Sequence, residues 1–444
     1  MVTRTKLWPL LVVMLCVTLT ACGQGEAGTE SRGEQYSGQA TTQLEESGYR
    51  NPVITAQPRQ LGKINSEPRI WSLNQGAEHN QGTVYRQQNT RPTKTPPDTE
   101  AVQQGDKPLP RTDIKGIYVS HSIAGSPRHL NRLVQLVDNT DLNAMVIDVK
   151  DDYGRMTYDS SIETVDAVGA DKQASVKDIR ELIHSLKEKD IYLIGRIVTF
   201  KDPLLAEKRK DWAIHRKDGT VWRDRKGISW VDPHRLEVQD YNIAIAQEAA
   251  ELGFDEIQFD YVRFPDNGAE MDKVVRYANV NQQSKSAAIQ SFLHDATQAL
   301  HAAGSVISAD VFGLVTSSKD DMGIGQTWRG VASEVDVISP MTYPSHYSAG
   351  IYGSAHPDLE PGKILRYAMR DARRRNEVLT KEGVQAAHIR PWLQSFTAKW
   401  VHPHQKYGPD EIREQIRAAR AERVNQYLLW SASCRYPYRQ ESTN

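Results

Sequence analysis

Two aspartates in the second half of the chain, Asp260 and Asp310, each end a short run of β-branched and aromatic residues that is typical of a buried strand. Glu256 points to the same side of the strand as Asp260, but at about 3.3 Å per residue the two are about 13 Å apart along it. A second carboxyl group that acts with Asp260 must therefore come from another strand. Two carboxyl groups about 5–9 Å apart can hydrolyse a glycosidic bond. We therefore predict that both aspartates are catalytic, Asp260 as the nucleophile or essential carboxylate and Asp310 as the general acid.

A second set of polar and aromatic side chains follows the ends of the other predicted strands. In a barrel of parallel strands, these ends form the face that carries the active site. Aromatic rings can also stack on the apolar faces of sugars, although core packing is the usual role of a single tryptophan. We predict that the following residues contact the substrate: Asp148, Lys150, Arg196, Arg263, Tyr343, His346, Trp392, Gln394 and Trp430.

Structural roles stay open for several of these residues. Asp260 could form a structural ion pair with Arg196 or with another arginine at the rim. Asp148 could form a buried pair with Lys150 or with Arg196, and Asp310 could cap the turn that follows its strand. If Arg196 lies close to the carboxylates, its charge favours their ionised form and keeps a nucleophile charged at neutral pH.

The sequence offers little for a metal or an organic cofactor. Its three cysteines, Cys16, Cys22 and Cys434, cannot build a disulfide framework or a cysteine-based metal site. His402 and His404 have the spacing of a metal pair, but no matching carboxylate cluster accompanies them. No glycine-rich dinucleotide or phosphate loop follows the first predicted strand. We therefore expect a site without a metal or a cofactor.

These side chains need a fold that brings several strand ends together. From residue 111 onward, short β-branched or aromatic runs alternate with longer amphipathic stretches. Eight strands in about 320 residues predict an α/β fold of the (β/α)8 TIM-barrel type, with an open doubly wound sheet as the main rival. The predicted strands are 116–119, 144–149, 192–197, 256–260, 306–310, 337–339, 391–393 and 426–429, and the predicted helices include 178–189, 241–252, 285–303, 361–376 and 410–421.

The segment 253–265, which reads GFDEIQFDYVRFP, resembles the signature of a bacterial family of glycosyl hydrolase domains. The similarity spans about residues 111–436, and the other matching segments are 115–120 (KGIYVS), 146–154 (VIDVKDDYG), 195–198 (GRIV), 339–347 (SPMTYPSHY) and 391–396 (PWLQSF). The resemblance implies a TIM barrel related to the α-amylase-like and other sugar-cleaving barrels. It also implies a carboxylate at the end of strand four, which is Asp260 in this chain.

The chain departs from better-known sugar hydrolases at several positions. Gln258 stands where α-amylase-like barrels carry an arginine, and Asp310 stands where they carry a glutamate acid. Gln394 follows strand seven, where the large clan with glutamates after strands four and seven needs a glutamate. The general acid is therefore the assignment that the resemblance supports least. By analogy alone, retention of anomeric configuration is favoured over inversion.

The N-terminus has the pattern of an export signal. Arg4 and Lys6 precede an apolar run over 7–19, which is too short to span a bilayer comfortably. The run leads to the letters LTACG, which resemble the bacterial lipobox, in which the cysteine is lipidated and becomes the mature N-terminus. The alternative is an ordinary cleaved signal with a chance cysteine. We predict a signal peptide over 1–21, lipidation at Cys22, and export to the outer face of the cell membrane, where acyl chains anchor the protein.

Composition and charge limit the remaining possibilities. With 55 basic and 56 acidic residues among 444, the chain has a formal net charge of −1 and lacks the basic excess of a nucleic-acid binder. Residues 22–110 are rich in Gln, Gly, Ser, Thr and Pro and too poor in apolar residues to fold, which predicts a disordered tether. The folded domain is expected over 111–436 and a short tail over 437–444.

Together these features predict a glycoside hydrolase that cleaves a cell-envelope or extracellular polysaccharide. Its expected partners are the polysaccharide and, through the lipid anchor, the membrane. Two alternatives stay open, a non-catalytic glycan-binding barrel and a transglycosylase. The sugar, its linkage and the oligomeric state do not follow from the sequence.

Overall fold

The computed structural model describes residues 108–266, 268–279 and 282–439. The predicted signal peptide, Cys22, nearly all of the predicted tether and the last residues of the predicted tail lie outside this part of the chain, so they remain predictions. Among the described helices, none combines the length and the apolar character that crossing a membrane requires.

The strands form a closed ring of parallel neighbours, which confirms the predicted TIM barrel and shows that the open doubly wound sheet is wrong. Ile117 pairs with Met145 on one side and with Leu429 on the other, so the first strand joins the second to the last and closes the ring. The barrel strands are β1 (Lys115–Val119), β2 (Ala144–Lys150), β3 (Tyr192–Val198), β4 (Glu256–Asp260), β5 (Val306–Phe312), β6 (Val337–Met341), β7 (Trp392–Gln394) and β8 (Tyr427–Trp430).

The seventh position of the ring is built from two short pieces. The piece His388–Ile389 pairs with the lower part of β6, and Trp392 of β7 pairs with Met341 at the upper end of β6. Pro391 lies between the two pieces and has no N–H group to donate to a strand ladder. The upper piece therefore carries Trp392 and its neighbours to the rim of the barrel.

Helices occupy the connections between the strands. Several begin with a side-chain cap, such as Asp178, which accepts the N–H of Glu181 at 2.9 Å. In chain order the helices are α1 (His121–Ala124), α2 (Pro127–Asp138), α3 (Glu163–Val168), α4 (Ile179–Lys187), α5 (Pro203–Lys208), α6 (Leu236–Leu252), α7 (Gly268–Met271), α8 (Lys285–Ala302), α9 (Trp328–Ala332), α10 (Pro361–Lys381) and α11 (Pro409–Ala421). Single turns of 3₁₀ helix cover Lys210–Trp212, Gly313–Thr316, Pro344–His346, Ile351–Gly353 and Pro357–Leu359.

The alternation predicted for β4 is confirmed. Phe259 lies on the outer side of the strand, where its ring meets that of Phe292 in α8 with 5.2 Å between centroids. Glu256 lies inside the ring, fully buried and bonded to Arg390. Asp260 points to the inside of the ring like Glu256 and is the last residue of the strand. The strand therefore carries one carboxylate low in the barrel and one at the rim.

The connection after β3 contains an antiparallel extension that the sequence did not predict. Its short strand His215–Arg216 pairs with Val275–Arg276, and isolated bridges join Ala213 to Val231 and Arg223 to Ser229. We call residues 213–231 the β3 insert. Strands of one or two residues are too short for an alternation pattern to reveal them.

Candidate active site

The carboxyl ends of the barrel strands surround a cavity of about 230 Å³. Its wall draws on the strands β3 to β8 together with the loops that follow β2, β4, β5 and β6. Of the eleven residues predicted to be catalytic or to bind substrate, the structure brings eight together around this cavity: Arg196, Asp260, Arg263, Asp310, Tyr343, His346, Trp392 and Trp430.

Asp260 and Arg196 form an ion pair in the wall of the cavity. Arg196 lies in β3 beside β4, and its Nε and Nη2 atoms donate to Oδ2 of Asp260 at 3.0 and 2.6 Å. Both residues are almost completely buried. Oδ1 of Asp260 accepts the backbone N–H of Tyr261 at 2.6 Å. The ion pair considered as a structural alternative is therefore present, but it borders open space instead of being sealed beneath the core.

The backbone at Tyr261 helps to hold the carboxylate of Asp260. Tyr261 has a φ of 48°, in the left-handed region where a residue other than glycine costs about 1–3 kcal/mol. In this conformation its N–H points back to the preceding carboxylate. Its ring and hydroxyl are in turn held by Lys201, whose Nζ lies 4.4 Å from the ring centroid and 3.3 Å from the hydroxyl oxygen. The turn after β4 thus fixes the orientation of Asp260.

Asp310 lies in a different electrostatic environment. It lies in β5, two residues before the strand ends at Phe312, is 1% exposed, and its Oδ1 accepts the indole N–H of Trp392 at 2.8 Å. Burial raises the pKa of Asp310 well above its usual range, and the charge of Asp260 raises it further. Within the described residues its carboxyl group makes no hydrogen bond to the following turn, so the turn-cap alternative is wrong. Asp310 is therefore suited to carry a proton.

Asp148 does not line the cavity, contrary to the prediction that it contacts substrate. Its Oδ1 accepts Nη1 of Arg196 at 2.6 Å, and its Oδ2 accepts the hydroxyl of Tyr118 at 2.6 Å and the N–H of His121 at 3.1 Å. Burial raises the pKa of Asp148 to about 6 despite the neighbouring arginine. Asp148 therefore supports Arg196 from behind, which is the buried pair considered as its structural alternative.

Lys150 also lies away from the cavity, and a shift in strand register explains why. Asp148 pairs with Arg196, but Lys150 pairs with Ile197, so one residue of β2 is looped out between them. The shift turns Lys150 outward, where its Nζ donates to Asp202 and to Asn242, each at 2.8 Å. The predicted substrate contact of Lys150 is therefore wrong, because its side chain is directed away from the cavity and does not line it.

Gln394 is the third predicted residue outside the cavity. Its Oε1 accepts the N–H and hydroxyl of Ser345 at 3.0 and 2.8 Å, and its Nε2 donates to Asp358 at 3.2 Å and to the carbonyl of Phe396 at 3.1 Å. These bonds use both ends of the amide. Gln394 holds together the loops around the rim instead of presenting its side chain to a ligand.

The structure adds cavity residues that sequence reasoning did not select, above all Asp152. Its side chain is one-third exposed, and its two oxygens lie 3.3 Å from Nη2 of Arg196 and 3.1 Å from Nζ of Lys201. Burial acts to raise the pKa of Asp152, but these two cations lower it below its usual range. The position of Asp152 just after β2 could have identified it from the sequence as a site residue, because loops that follow barrel strands form the catalytic face.

Aromatic and neutral polar groups complete the wall. Trp430 stacks on Tyr118 with 4.3 Å between centroids and meets Trp392 edge-on at 5.4 Å. Burial lowers the pKa of His346 to about 4, so its imidazole is neutral at neutral pH. The hydroxyl of Tyr347 is buried and has no hydrogen-bond partner among the described residues. The wall thus offers flat apolar faces beside unused polar groups, as a carbohydrate site requires.

In the described part of the chain, no group of three histidine, cysteine, aspartate or glutamate side chains is placed to hold a metal ion. His402 and His404 face each other with 5.6 Å between ring centroids. The expectation of a site without metal or cofactor stays a prediction.

Comparisons with solved structures find similar folds in other proteins. The chain is similar to the PgaB (BpsB) glycoside hydrolase domain from Bordetella bronchiseptica, with 14% identity over 73% of this chain and 95% of that one and a TM-score of 0.50. At this identity the likeness concerns the fold alone. An α-galactosidase from Thermus thermophilus is 14% identical over 73% of this chain and 59% of its own, with a TM-score of 0.42.

Other comparisons address the sequence itself. A hypothetical protein from Ruminiclostridium thermocellum is 36% identical over 47% of this chain and 98% of its own, with a TM-score of 0.40. No curated protein matches the chain. The profile of a family described as "Putative glycosyl hydrolase domain" matches residues 116–436, which is well over half of the chain and nearly the whole ring of strands. The chain therefore belongs to this family of glycosyl hydrolases.

Proposed function

We propose that the protein hydrolyses glycosidic bonds in a polysaccharide of the cell envelope or its surroundings, with Asp260 as the nucleophile and Asp310 as the general acid. The observation that carries the proposal is the contrast between these two aspartates in one cavity. Asp260 forms an ion pair with Arg196, whereas Asp310 is buried with a neutral indole donor. Two carboxyl groups whose surroundings differ in this way are suited to the two roles that the reaction needs.

The proposed reaction has two steps. In the first, a carboxylate oxygen of Asp260 attacks the anomeric carbon while the bond from that carbon to the leaving oxygen breaks, and the proton of Asp310 moves to the leaving oxygen. In the second, a water molecule gives its proton to Asp310 and its oxygen to the anomeric carbon, which frees Asp260. Retention of configuration is proposed by analogy alone.

The surrounding residues support this division of roles. Oδ2 of Asp260 accepts two donors from Arg196, which leaves Oδ1, with its single backbone donor, as the better attacking atom. The hydrogen bond from Trp392 occupies Oδ1 of Asp310, so the proton is better carried on Oδ2. The ring of Trp430, which is stacked on Tyr118 behind it, offers an apolar surface in the cavity wall.

The test compares the full chain with Asp260→Asn and Asp310→Asn on cell-wall and exopolysaccharide fractions, with new reducing ends as the readout. Each substitution is expected to lower product release at least about a hundredfold. Asp159→Asn is the matched control, because Asp159 is exposed and outside the cavity, and it should leave the rate unchanged. Equal release by the unmodified protein and Asp260→Asn would remove Asp260 from the mechanism.

The same samples separate the two alternatives. A non-catalytic glycan-binding barrel would sediment with the polymer and release no sugar. The observation in its favour is that both carboxylate oxygens of Asp260 already accept hydrogen bonds from the protein. A transglycosylase would lengthen some oligosaccharides without a matching rise in reducing ends. Product sizes measured beside reducing ends therefore distinguish hydrolysis from transfer.

A further inference from the structure

Arg263 is a buried cation in the cavity wall with unused hydrogen-bond donors. It is 4% exposed, and its guanidinium carbon lies 5.1 Å from the ring centroid of Trp230, 5.0 Å from that of Tyr261 and 4.5 Å from that of Phe312. Within the described residues its side-chain hydrogen bonds are all made by Nη1, to the carbonyl of Phe264 and to Asp266. The Nε and Nη2 groups are therefore available to a ligand in the cavity.

The other two cations at this site, Arg196 and Lys201, are already bonded to groups of the protein. Arg196 donates to Asp148, Asp152 and Asp260. Lys201 donates to Asp152 and to the hydroxyl of Tyr261. Among the residues that the structure describes, Arg263 has one carboxylate partner, Asp266, whose side chain is 38% exposed and thus well hydrated. Arg263 is consequently the cation in this wall that is least compensated by the protein.

The β3 insert adds positive charge beside Arg263. It contains five basic and two acidic residues, whereas the whole chain has a net charge of −1. Arg216, Arg225 and Lys226 are exposed, and their side chains make no hydrogen bond or ion pair within the described residues. The insert reaches the cavity through Trp230, whose ring lies 5.7 Å from that of Tyr261 and packs on Arg263. Trp230 therefore joins the insert that carries these exposed cations to the buried Arg263.

We propose that the substrate is an acidic polysaccharide. Nε and Nη2 of Arg263 bind a carboxylate or phosphate group on the unit that occupies the cavity, and the β3 insert binds the anionic groups of neighbouring units. A guanidinium group presents paired N–H donors that match two oxygens of one oxyanion. This inference rests on the proposed function, because it names the substrate class of the same site.

The position of Arg263 argues against a lipid headgroup as the anion. Exposed cations on the β3 insert could touch a membrane surface, but a flat bilayer cannot reach an arginine that is 4% exposed inside a cavity. A sugar chain can place one unit in the cavity and let the next units run across the insert. One ligand then explains both the buried Arg263 and the exposed cations of the β3 insert.

Affinity electrophoresis of the full chain tests the charge of the polymer without turnover. The probes are polygalacturonate, poly(glycerol phosphate) and neutral dextran. Retardation by at least one polyanion should exceed that by dextran about tenfold or more and should weaken with added salt. The polyanion that binds more tightly identifies carboxylate or phosphate as the anion. Equal retardation by all three polymers, or none by any, overturns the proposal.

Matched triple variants test the location of the binding surface. Arg216→Gln, Arg225→Gln and Lys226→Gln together should weaken binding to the polyanion about tenfold. The control combines Arg128→Gln, Arg132→Gln and Arg180→Gln, which remove the same charge from exposed positions on α2 and α4 and should change binding less than about twofold. Equal weakening by both variants shows that only overall charge matters and overturns the role of the β3 insert.

Arg263 is tested with a matched pair of polymers, polygalacturonate and its carboxyl-reduced neutral form. The unmodified chain should prefer the acidic polymer. Because the β3 insert still binds anionic groups, Arg263→Gln should weaken this preference without abolishing it, and Arg263→Lys should weaken it less because it keeps the charge. A preference that is unchanged in folded Arg263→Gln overturns the role of Arg263. Asp260-dependent release of sugars from neutral polymers alone would overturn the acidic substrate while leaving the hydrolase proposal intact.

Discussion

Arg196 holds the carboxylate of Asp260 from the neighbouring strand, with Nε at 3.0 Å and Nη2 at 2.6 Å from the same oxygen atom. On the opposite edge of the guanidinium group, Nη1 lies 2.6 Å from Oδ1 of Asp148. Nη2 also lies 3.3 Å from Asp152. One buried cation thus contacts three aspartates, and the charge balance of the whole site depends on it.

Arg196→Gln should therefore damage both stability and activity. Removing one partner of a buried ion pair typically costs about 3–5 kcal/mol, because the remaining charges lose their compensation. We expect a loss of that size in the free energy of unfolding, measured by urea denaturation, together with loss of product release. Arg132→Gln on the exposed side of α2 is the control and should change stability by less than about 0.5 kcal/mol. A stable, active Arg196→Gln protein would contradict the importance of this ion pair.

The raised pKa of Asp310 predicts the alkaline side of the pH–rate profile. The rate, measured as kcat/KM, should fall as pH rises through that pKa, because the ionised carboxylate has no proton to give. The N–H of Trp392 stabilises the ionised form and so lowers the pKa of Asp310. Trp392→Phe removes this donor and should shift the alkaline limb to higher pH.

Trp430→Phe is the matched control for this shift. Trp430 also lines the cavity, but its indole makes no hydrogen bond to Asp310. Its substitution should lower the rate by altering the sugar surface while leaving the alkaline limb in place. If the alkaline limb of the pH–rate profile does not move in Trp392→Phe, or moves equally in both variants, Asp310 is not the general acid.

Tyr347 should contribute to substrate binding through its hydroxyl. This group is buried in the cavity wall and has no partner among the described residues, and burial raises its pKa so that it stays neutral. Tyr347→Phe should raise KM about three- to tenfold, the worth of one hydrogen bond, with little change in kcat. Tyr241→Phe removes a comparable unpartnered hydroxyl away from the cavity and should leave KM unchanged. An unaltered KM in Tyr347→Phe would show that no substrate group meets this hydroxyl.

The predicted lipid anchor can be tested through Cys22. In cells fed radiolabelled palmitate, the unmodified chain should become labelled and fractionate with membranes, whereas Cys22→Ser should lose both properties. Cys434→Ser serves as the control, because that cysteine is buried in the barrel domain and should not affect labelling. A label that persists in Cys22→Ser would contradict the lipobox assignment and favour an ordinary cleaved signal.

The local pattern of the sequence was sufficient to predict the rim of the barrel. The two-residue alternation of β4 places Asp260 on the inner side at the carboxyl end, and the same argument places Asp310 near the carboxyl end of β5, although that strand runs on to Phe312. Parallel strands in a closed ring all end on one face, so residues at strand ends meet whatever loops connect them. This is why most of the predicted site residues do line one cavity.

Tertiary structure alone decided which of the neighbouring polar residues face that cavity. Asp148 and Lys150 share one alternation phase in the sequence, but the register shift between them sends Lys150 outward to Asp202. The packing of Trp230 from the β3 insert on Arg263 likewise depends on contacts between segments that are separate in the chain. Spacing along one strand determines the side to which a residue points, whereas register shifts and loop packing are set by neighbours that the local sequence does not contain.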